Sequence, residues 1–225
     1  MAREHQDQLL TFLPLLAFAL LAVLSEATGL DRRLSDAWYD PARGFSFKHS
    51  WWAEDLIHDA GRAFVALAGA SAVLVWALSF RVPRLLPWRR PALYLFAAIA
   101  LSTGAVAGLK ALSGRPCPWD LERYGGGGSG GGCFPSAHAA TGYSLMALYF
   151  ALRDFSPRLA RAGLLLGLGL GTLFGFGQIV RGAHFQSHNL WSAALCWAVA
   201  AALYRVAFRG DLSAASRSRG GAEKA

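Results

Sequence analysis

Residues 162–180 read AGLLLGLGLGTLFGFGQIV, a run of nineteen residues without a charged side chain. This length is close to the roughly 20 apolar residues that an α-helix needs to cross the hydrocarbon core of a bilayer. The glycines recur at short intervals, which is typical of helices that pack closely against one another inside a membrane. The stretch therefore predicts a membrane-spanning helix with close helical neighbours.

Five further blocks lack Asp, Glu, Lys and Arg, and the 225-residue chain is 54% hydrophobic and only 16% charged. This composition excludes a disordered protein, and the clustering of the apolar residues disfavours a water-soluble domain. We expect an all-α, polytopic membrane protein whose six transmembrane helices form one bundle and one domain over residues 1–225. The approximate spans are 9–30, 62–80, 91–110, 136–152, 160–180 and 188–208, followed by a flexible tail over 211–225.

Basic residues are distributed unevenly between the two predicted sides of the membrane. With six spans, the side with both termini carries 13 of the 22 Lys and Arg residues but five of the 14 Asp and Glu residues. The positive-inside rule then places the termini in the cytoplasm. We therefore interpret the net charge of +8 as a topology signal and expect no nucleic-acid partner, because no soluble domain is left to carry a binding face.

The predicted first outer loop, residues 31–62, is rich in aromatic side chains: Trp38, Tyr39, Phe45, Phe47, Trp51 and Trp52. Aromatic residues interspersed with charges are typical of a segment at the membrane–water interface. An interfacial belt is the simpler interpretation, and direct contact with a lipid substrate is the alternative.

Polar residues that are costly at membrane depth gather in two stretches on the predicted outer side. The first reads KALSGRPCPWD at 110–120 and continues to CFPSAH at 133–138, and the second reads RGAHFQSHN at 181–189. The third and fifth predicted spans end on the outer side, and the fourth and sixth begin there. The two stretches that connect them therefore lie on the same side, and we expect them to converge at one pocket in the outer leaflet. The residues expected there are Lys110, Arg115, Ser136, His138, Arg181, His184 and His188.

Such a pocket suits phosphoryl transfer. Helix N-termini near Ser136 and Ser187 direct backbone N–H groups at an anion, and Lys and Arg add cations. Histidine can act as a nucleophile or as a general acid. We expect no cofactor and no metal, although the i, i+4 spacing of His184 and His188 leaves a zinc site with His138 open. A non-enzymatic lipid-binding or transport protein also remains open, and the residues do not indicate an oligomeric state.

The order of these motifs resembles the membrane-bound type 2 phosphatidic acid phosphatase family. The resemblance covers about residues 60–208 and is carried best by PSAH at 135–138 and GAHF at 182–185. It implies a divergent bacterial lipid phosphatase that acts without a metal on an anionic lipid, at the outer face of the cytoplasmic membrane. It implies polyprenyl diphosphate, phosphatidylglycerol phosphate or the phosphates of lipid A as candidate substrates, and the residues do not choose among them.

The resemblance also implies a role for each site residue. His184 is the nucleophile that takes the phosphoryl group, and His138 protonates the leaving oxygen. Lys110, Arg115 and Arg181 hold the phosphate, and Ser136 caps a helix while it offers a further donor.

The chain departs from the family pattern around these residues. Arg115 stands two positions early relative to Lys110, and the Ser-Arg pair usual before the nucleophile is replaced by Gly177-Gln178, with Arg181 nearby. Both arginines are long enough to reach a phosphate from displaced positions. The Asp that normally follows the nucleophile by four residues and orients its ring is here His188, so either His188 takes over that role or it only caps a helix.

Cys117 and Cys133 lie in the same predicted outer loop, which faces an oxidising compartment, so we expect them to form a disulfide. Between them, residues 125–132 read GGGGSGGG and have the composition of a flexible linker. A natural tract and an engineered replacement of a longer loop are both consistent with this composition.

Overall fold

The structure, a computed structural model, describes residues 2–52, 59, 61–128 and 130–222, and it describes side chains within 11–208 of these ranges. Parts of the predicted first outer loop (53–58 and 60), residue 129 of the glycine-rich tract and residues 223–225 of the predicted tail lie outside the described residues. The α-helices are α1 (Ala2–Ala27), α2 (Leu30–Asp36), α3 (Gly61–Leu78), α4 (Arg89–Ser113), α5 (Ala137–Tyr143), α6 (Ala147–Leu152), α7 (Pro157–Val180) and α8 (Gln186–Ala222).

A short antiparallel hairpin, β1 (Tyr39–Asp40) and β2 (Gly44–Phe45), lies between α2 and α3, with Tyr39 opposite Phe45. The prediction of an all-α protein is confirmed apart from this hairpin. At the other end of the chain, α8 continues through Ala222 and so enters the segment 211–225 that the sequence predicts as a tail.

The described residues do not confirm the predicted count of six membrane spans. In the described part of the chain, four helical segments are long and apolar enough to cross a membrane: Gly61–Leu78, Pro83–Asp120, Pro157–Val180 and Gln186–Phe208. The segments Thr11–Ala27 and Leu30–Asp36 are apolar enough to form a fifth span together, but the chain bends by 68° between them. They add a fifth span only if the bent pair crosses the membrane as one unit. These helices fit a multi-pass membrane protein, while the count of six spans stays a prediction.

The predicted span 136–152 is not one regular helix. It is divided into α5, a 3-10 turn (Ser144–Met146) and α6, which together are shorter than a helix that crosses a bilayer. This broken segment is nevertheless the centre of the molecule, since it packs against α4, α7 and α8 and its residues Ala139, Met146 and Ala147 are fully buried. The helices around it turn large apolar side chains outward, as expected of a surface in contact with lipid.

The glycines of α7 let this helix approach the broken segment, as the sequence predicts. A Cβ atom at Gly167 would collide with the backbone nitrogen of Met146 and would lie 2.8 Å from the carbonyl carbon of Leu145. A Cβ atom at Gly171 would likewise collide with the ring of Tyr143. Close backbone approach of this kind is how small residues favour helix association in membranes.

We predict that Gly167→Ala destabilises the protein, because the added methyl group meets backbone atoms that cannot rotate away. The expected loss is about 1–3 kcal/mol of unfolding free energy, typical of overpacking in a well-packed core. Gly169→Ala on the same helix is the matched control, since nothing lies within 4 Å of a Cβ atom at that position. Thermal unfolding in detergent measures both variants, and equal melting temperatures would contradict the close contact.

Candidate active site

The two polar stretches identified in the sequence are hydrogen-bonded to each other in the fold. The backbone N–H of Trp119 donates to the carbonyl of Gly182 (2.9 Å), and the N–H of Ser136 donates to the carbonyl of His188 (3.3 Å). The C-terminal end of α4, the N-terminal end of α5 and the connection between α7 and α8 therefore meet at one end of the bundle. Two helix N-termini, with the positive ends of their dipoles, face this region.

Ser136 connects the first turns of α5 and α8 through hydrogen bonds. Its side-chain oxygen accepts from the N–H of Ala139 (3.4 Å) as the N-cap of α5. Its carbonyl accepts from the hydroxyl of Ser192 (2.9 Å), which also lies 2.9 Å from the carbonyl of His188. Ser136 is fully buried in this role, and its contribution to phosphate binding stays a prediction.

The three histidines lie next to one another. The ring centroids of His138 and His184 are 6.3 Å apart, and those of His184 and His188 are 5.8 Å apart. His184 and His188 are only 2% and 3% exposed. The three come from different local structures, because His138 lies in the first turn of α5, His184 in the connection after α7 and His188 in the first turn of α8.

A tight turn after α7 fixes the backbone of His184. The carbonyl of Gln178 accepts from the N–H of Ala183 (2.9 Å) and from that of His184 (3.3 Å). The turn requires a positive φ of 72° at Gly182, a conformation that glycine adopts without steric cost. A side chain at Gly182 would also collide with the ring of Phe45.

The surroundings of His184 keep its ring neutral. Burial lowers the pKa of His184 well below its usual value, and the nearby positive charges of His188, Lys110 and His138 lower it further. A hydrogen bond with the backbone of Cys133 partly opposes these effects. Because the folded-state pKa is depressed, the unprotonated form, which carries the nucleophilic lone pair, predominates at neutral pH.

The three cations occupy different positions around the histidines. Lys110 lies half-buried in the last turn of α4, where its charge acts on His184. Arg115 forms an ion pair with Glu26 (3.2 Å) and stacks over the ring of Phe134 at 4.6 Å.

Arg181 is buried at the end of α7, and its Nε donates to the carbonyl of Lys48 (3.1 Å). The structure thus brings Lys110 to His184, places Arg115 on the side of His188 and positions Arg181 under the first outer loop.

The described part of the predicted first outer loop packs on the protein next to this site. Phe45 of β2 is buried against Gly182, and the ring of Trp38 packs edge-to-face on Phe176 at 5.7 Å. At least these two aromatic residues therefore have protein partners. The loop covers one side of the turn that carries His184.

A disulfide closes the other loop, and the prediction that Cys117 and Cys133 are bonded is confirmed. The backbone N–H of Cys133 also donates to the carbonyl of Arg115 (2.9 Å). Within the glycine-rich tract, the N–H of Gly128 donates to the carbonyl of Asp120 (2.9 Å), so this part of the tract folds back on the preceding turn. The disulfide fixes the chain immediately before the start of α5.

The three histidines do not have the spacing of a metal site. Among the described residues, one group of His, Cys, Asp or Glu side chains has its ligating atoms within 4.8 Å of one another, and it consists of Cys117, Asp120 and Cys133. The two sulfurs of that group are joined in the disulfide.

Asp31 is the residue of this region that the sequence did not single out. It was expected in the outer loop, but the chain bends at Gly29 and α2 buries Asp31 against the start of α8. Asp31 and His188 both line a pocket of about 410 Å³, together with Glu26, Arg32, Arg115 and Phe185. The signal available in the sequence was the position of Asp31, an acid two residues after Gly29 at the end of the first predicted span.

Comparison with known families gives one match. The model of the PAP2 superfamily matches residues 91–211, just over half of the chain, and this range includes every predicted site residue. Comparison with curated proteins and with solved structures gave no match.

We predict that the disulfide forms in the protein and stabilises it. Non-reduced peptide mapping by mass spectrometry should find Cys117 linked to Cys133, and after denaturation without reductant one thiol, that of Cys196, should react. Replacing both linked cysteines with serine should cost about 3 kcal/mol, as expected from the chain entropy of a loop of this length. Three reactive thiols per chain would contradict the bond.

Proposed function

The chain belongs to the PAP2 superfamily, whose members are generally phosphatases of lipid-like phosphoesters, and on this premise we propose a specific reaction for it. It hydrolyses a phosphomonoester or diphosphate of an anionic lipid at the outer face of the bacterial cytoplasmic membrane, through a phosphohistidine intermediate and without a metal. The observation that carries this proposal is the pairing of His138 and His184, whose ring centroids are 6.3 Å apart beside the N-terminus of α5.

In the first step, a ring nitrogen of His184 attacks the phosphorus atom and the bond from phosphorus to the lipid oxygen breaks. His138 donates a proton to the departing oxygen. The released lipid leaves as an alcohol, or as a lipid monophosphate if the substrate is a diphosphate. The lowered pKa of His184 supports its role, because a neutral ring has the lone pair that attack requires.

In the second step, water attacks the phosphorus atom of the phosphohistidine. His138, now unprotonated, accepts a proton from this water, and inorganic phosphate departs while His184 is regenerated. Lys110, Arg115 and Arg181 stabilise the negative charge on the equatorial oxygens in both steps. The N-terminus of α5 adds its backbone N–H groups at the same place.

The candidate substrates share a terminal phosphate group on a lipid: polyprenyl diphosphate, phosphatidylglycerol phosphate and the phosphates of lipid A. The apolar helices support a lipid that stays in the bilayer while its phosphate reaches the histidines. The excess of basic residues in the predicted cytoplasmic segments supports termini in the cytoplasm and a site that faces the periplasm or the exterior.

We predict that His184→Ala and His138→Ala fail in different ways. His184→Ala should abolish both turnover and the covalent intermediate. His138→Ala should abolish turnover of lipid phosphates but should retain phosphorylation of His184 by an aryl phosphate, because that weakly basic leaving oxygen needs little protonation. Rapid quench with labelled substrate detects an acid-labile, base-stable phosphoenzyme.

The controls for this experiment separate the alternative functions. His49 is exposed and is not one of the predicted site residues, so His49→Ala should retain turnover. Phosphate release from the lipid panel should survive a chelator, whereas loss of release on chelation would favour a zinc hydrolase. Turnover of His184→Ala at the wild-type rate would refute the proposed mechanism.

We predict that positions 90 and 125 lie on opposite sides of the membrane, because Arg90 is at the N-terminal end of α4 and the rest of this apolar helix lies between the two positions. Reporter fusions after Arg90 should report the cytoplasm, and fusions after Gly125 should report the outside. Reports from the same side would contradict the span, and reports with the two sides exchanged would contradict the proposed orientation.

A further inference from the structure

Asp31 is a buried carboxylate at the centre of the contact between α2 and α8. It is 7% exposed, and one of its oxygens accepts from the hydroxyl of Ser25 (2.7 Å) and from the backbone N–H of Ser187 (2.9 Å). Its other oxygen accepts from the hydroxyl of Ser187 (2.5 Å). Three hydrogen bonds therefore fix this carboxylate at the first turn of α8.

Capping alone does not require a charge at this position. A buried carboxylate loses its hydration, which costs several kcal/mol unless hydrogen bonds and opposite charges compensate for it. Asn and Ser satisfy the N–H groups of a helix start about as well as Asp does, without a buried charge. The three hydrogen bonds of Asp31 all come from neutral donors, so they do not by themselves account for a charged side chain at this position.

His188 is a titratable side chain beside Asp31. The two residues line the same pocket, and the charge of Asp31 acts on the His188 ring. The other acids of this region have different partners, because Glu26 pairs with Arg115 and Asp120 accepts from the backbone N–H of Cys117.

The ring of His188 lies among aromatic side chains, and its hydrogen bond is with the backbone of Cys133. Its ring touches the rings of Phe134 and Phe185 edge-on, with centroids at 5.3 and 5.4 Å, and lies 5.8 Å from His184. Its Nδ1 atom, like that of His184, is buried and has no hydrogen-bond partner among the described residues. Hydrogen bonds around a catalytic histidine are often loose before substrate binds and tighten in the reacting complex.

We propose that Asp31 is the positioning residue of this site and acts on the nucleophile through His188. Asp31 orients the His188 ring, and His188 in turn orients the ring of His184. When His184 takes the phosphoryl group, its ring gains positive charge, and the carboxylate of Asp31 stabilises that state. This inference rests on the proposed function. It assigns to Asp31 the orienting role of the Asp that the resembling family has at the position of His188.

The substitution that tests this inference is Asp31→Asn. It retains the size of the side chain and an oxygen that accepts from Ser187, so the cap of α8 survives, but it removes the charge. We expect kcat to fall about 10- to 100-fold, the usual effect of removing a residue that orients a functional side chain, with KM unchanged because Asp31 does not hold the phosphate. Wild-type kcat in Asp31→Asn would overturn the proposal.

Asp36→Asn is the matched control. Asp36 lies on the same helix, but its carboxylate is partly exposed and pairs with Arg123 (2.7 Å), away from the histidines. It should retain wild-type kcat and KM. An equal loss in Asp36→Asn and Asp31→Asn would show that any lost charge on α2 disturbs the fold, which also overturns a specific role of Asp31.

A rescue experiment separates positioning from a purely structural role. In the double variant Asp31→Asn/His188→Asp, a carboxylate returns to the side of His184 at the position where the resembling family has it. We expect kcat to recover relative to Asp31→Asn. A double variant that is no more active than the single variant would overturn the proposal, because a lost cap cannot be restored from position 188.

A readout without turnover keeps this inference distinct from the proposed function. Failure of the proposed function appears in the wild-type protein, which would then release no phosphate from any lipid, or in an active His184→Ala. Independently of activity, the ring nitrogen NMR signals of His188 should differ between the wild type and Asp31→Asn but not between the wild type and Asp36→Asn. Unchanged His188 signals in Asp31→Asn would overturn the positioning role even in an active enzyme.

Discussion

The hydroxyl of Ser192 lies 2.9 Å from the backbone carbonyls of both Ser136 and His188, and this contact fixes the start of α5 against the start of α8. The position of His138 relative to His184 and His188 depends on it, because these residues come from separate segments. Ser136, His188 and Ser192 are all buried, and buried hydrogen bonds in a low-dielectric environment are costly to break. The joined helix starts also direct two sets of backbone N–H groups toward the same region.

Rigid elements surround this junction on three sides. The disulfide holds Cys133 immediately before α5, Gly182 permits the tight turn before His184, and Phe45 packs on that turn from the first outer loop. Each element restricts the backbone close to one of the histidines. Preorganisation of this kind supports the proposed phosphoryl transfer, because preorganised groups need little rearrangement when charge develops.

Local signals in the sequence predicted much of this arrangement, while long-range contacts set the rest. The apolar run and glycine spacing of 162–180 predicted α7 and its close packing, because span length and small residues are local properties. The break within 136–152 was not predicted, since this apolar run has the composition of a continuous span and its 3-10 turn forms in a crowded core. Asp31 was missed for a related reason: its hydrogen bonds to Ser187 join residues distant in sequence, and neither residue alone indicates the pairing.

The ion pair of Arg115 and Glu26 bears on how a phosphate would enter this site. The two side chains are 51% and 39% exposed, so their attraction is screened by water and contributes little to stability. A phosphate with two negative charges offers Arg115 a stronger, bidentate partner than the single carboxylate of Glu26. Exchange of Glu26 for a lipid phosphate would therefore cost little, and the guanidinium would remain stacked on Phe134 while it changes partner. The displaced position of Arg115 in the sequence is thus compatible with phosphate binding, because the arginine is held beside the site by a contact that a substrate can replace.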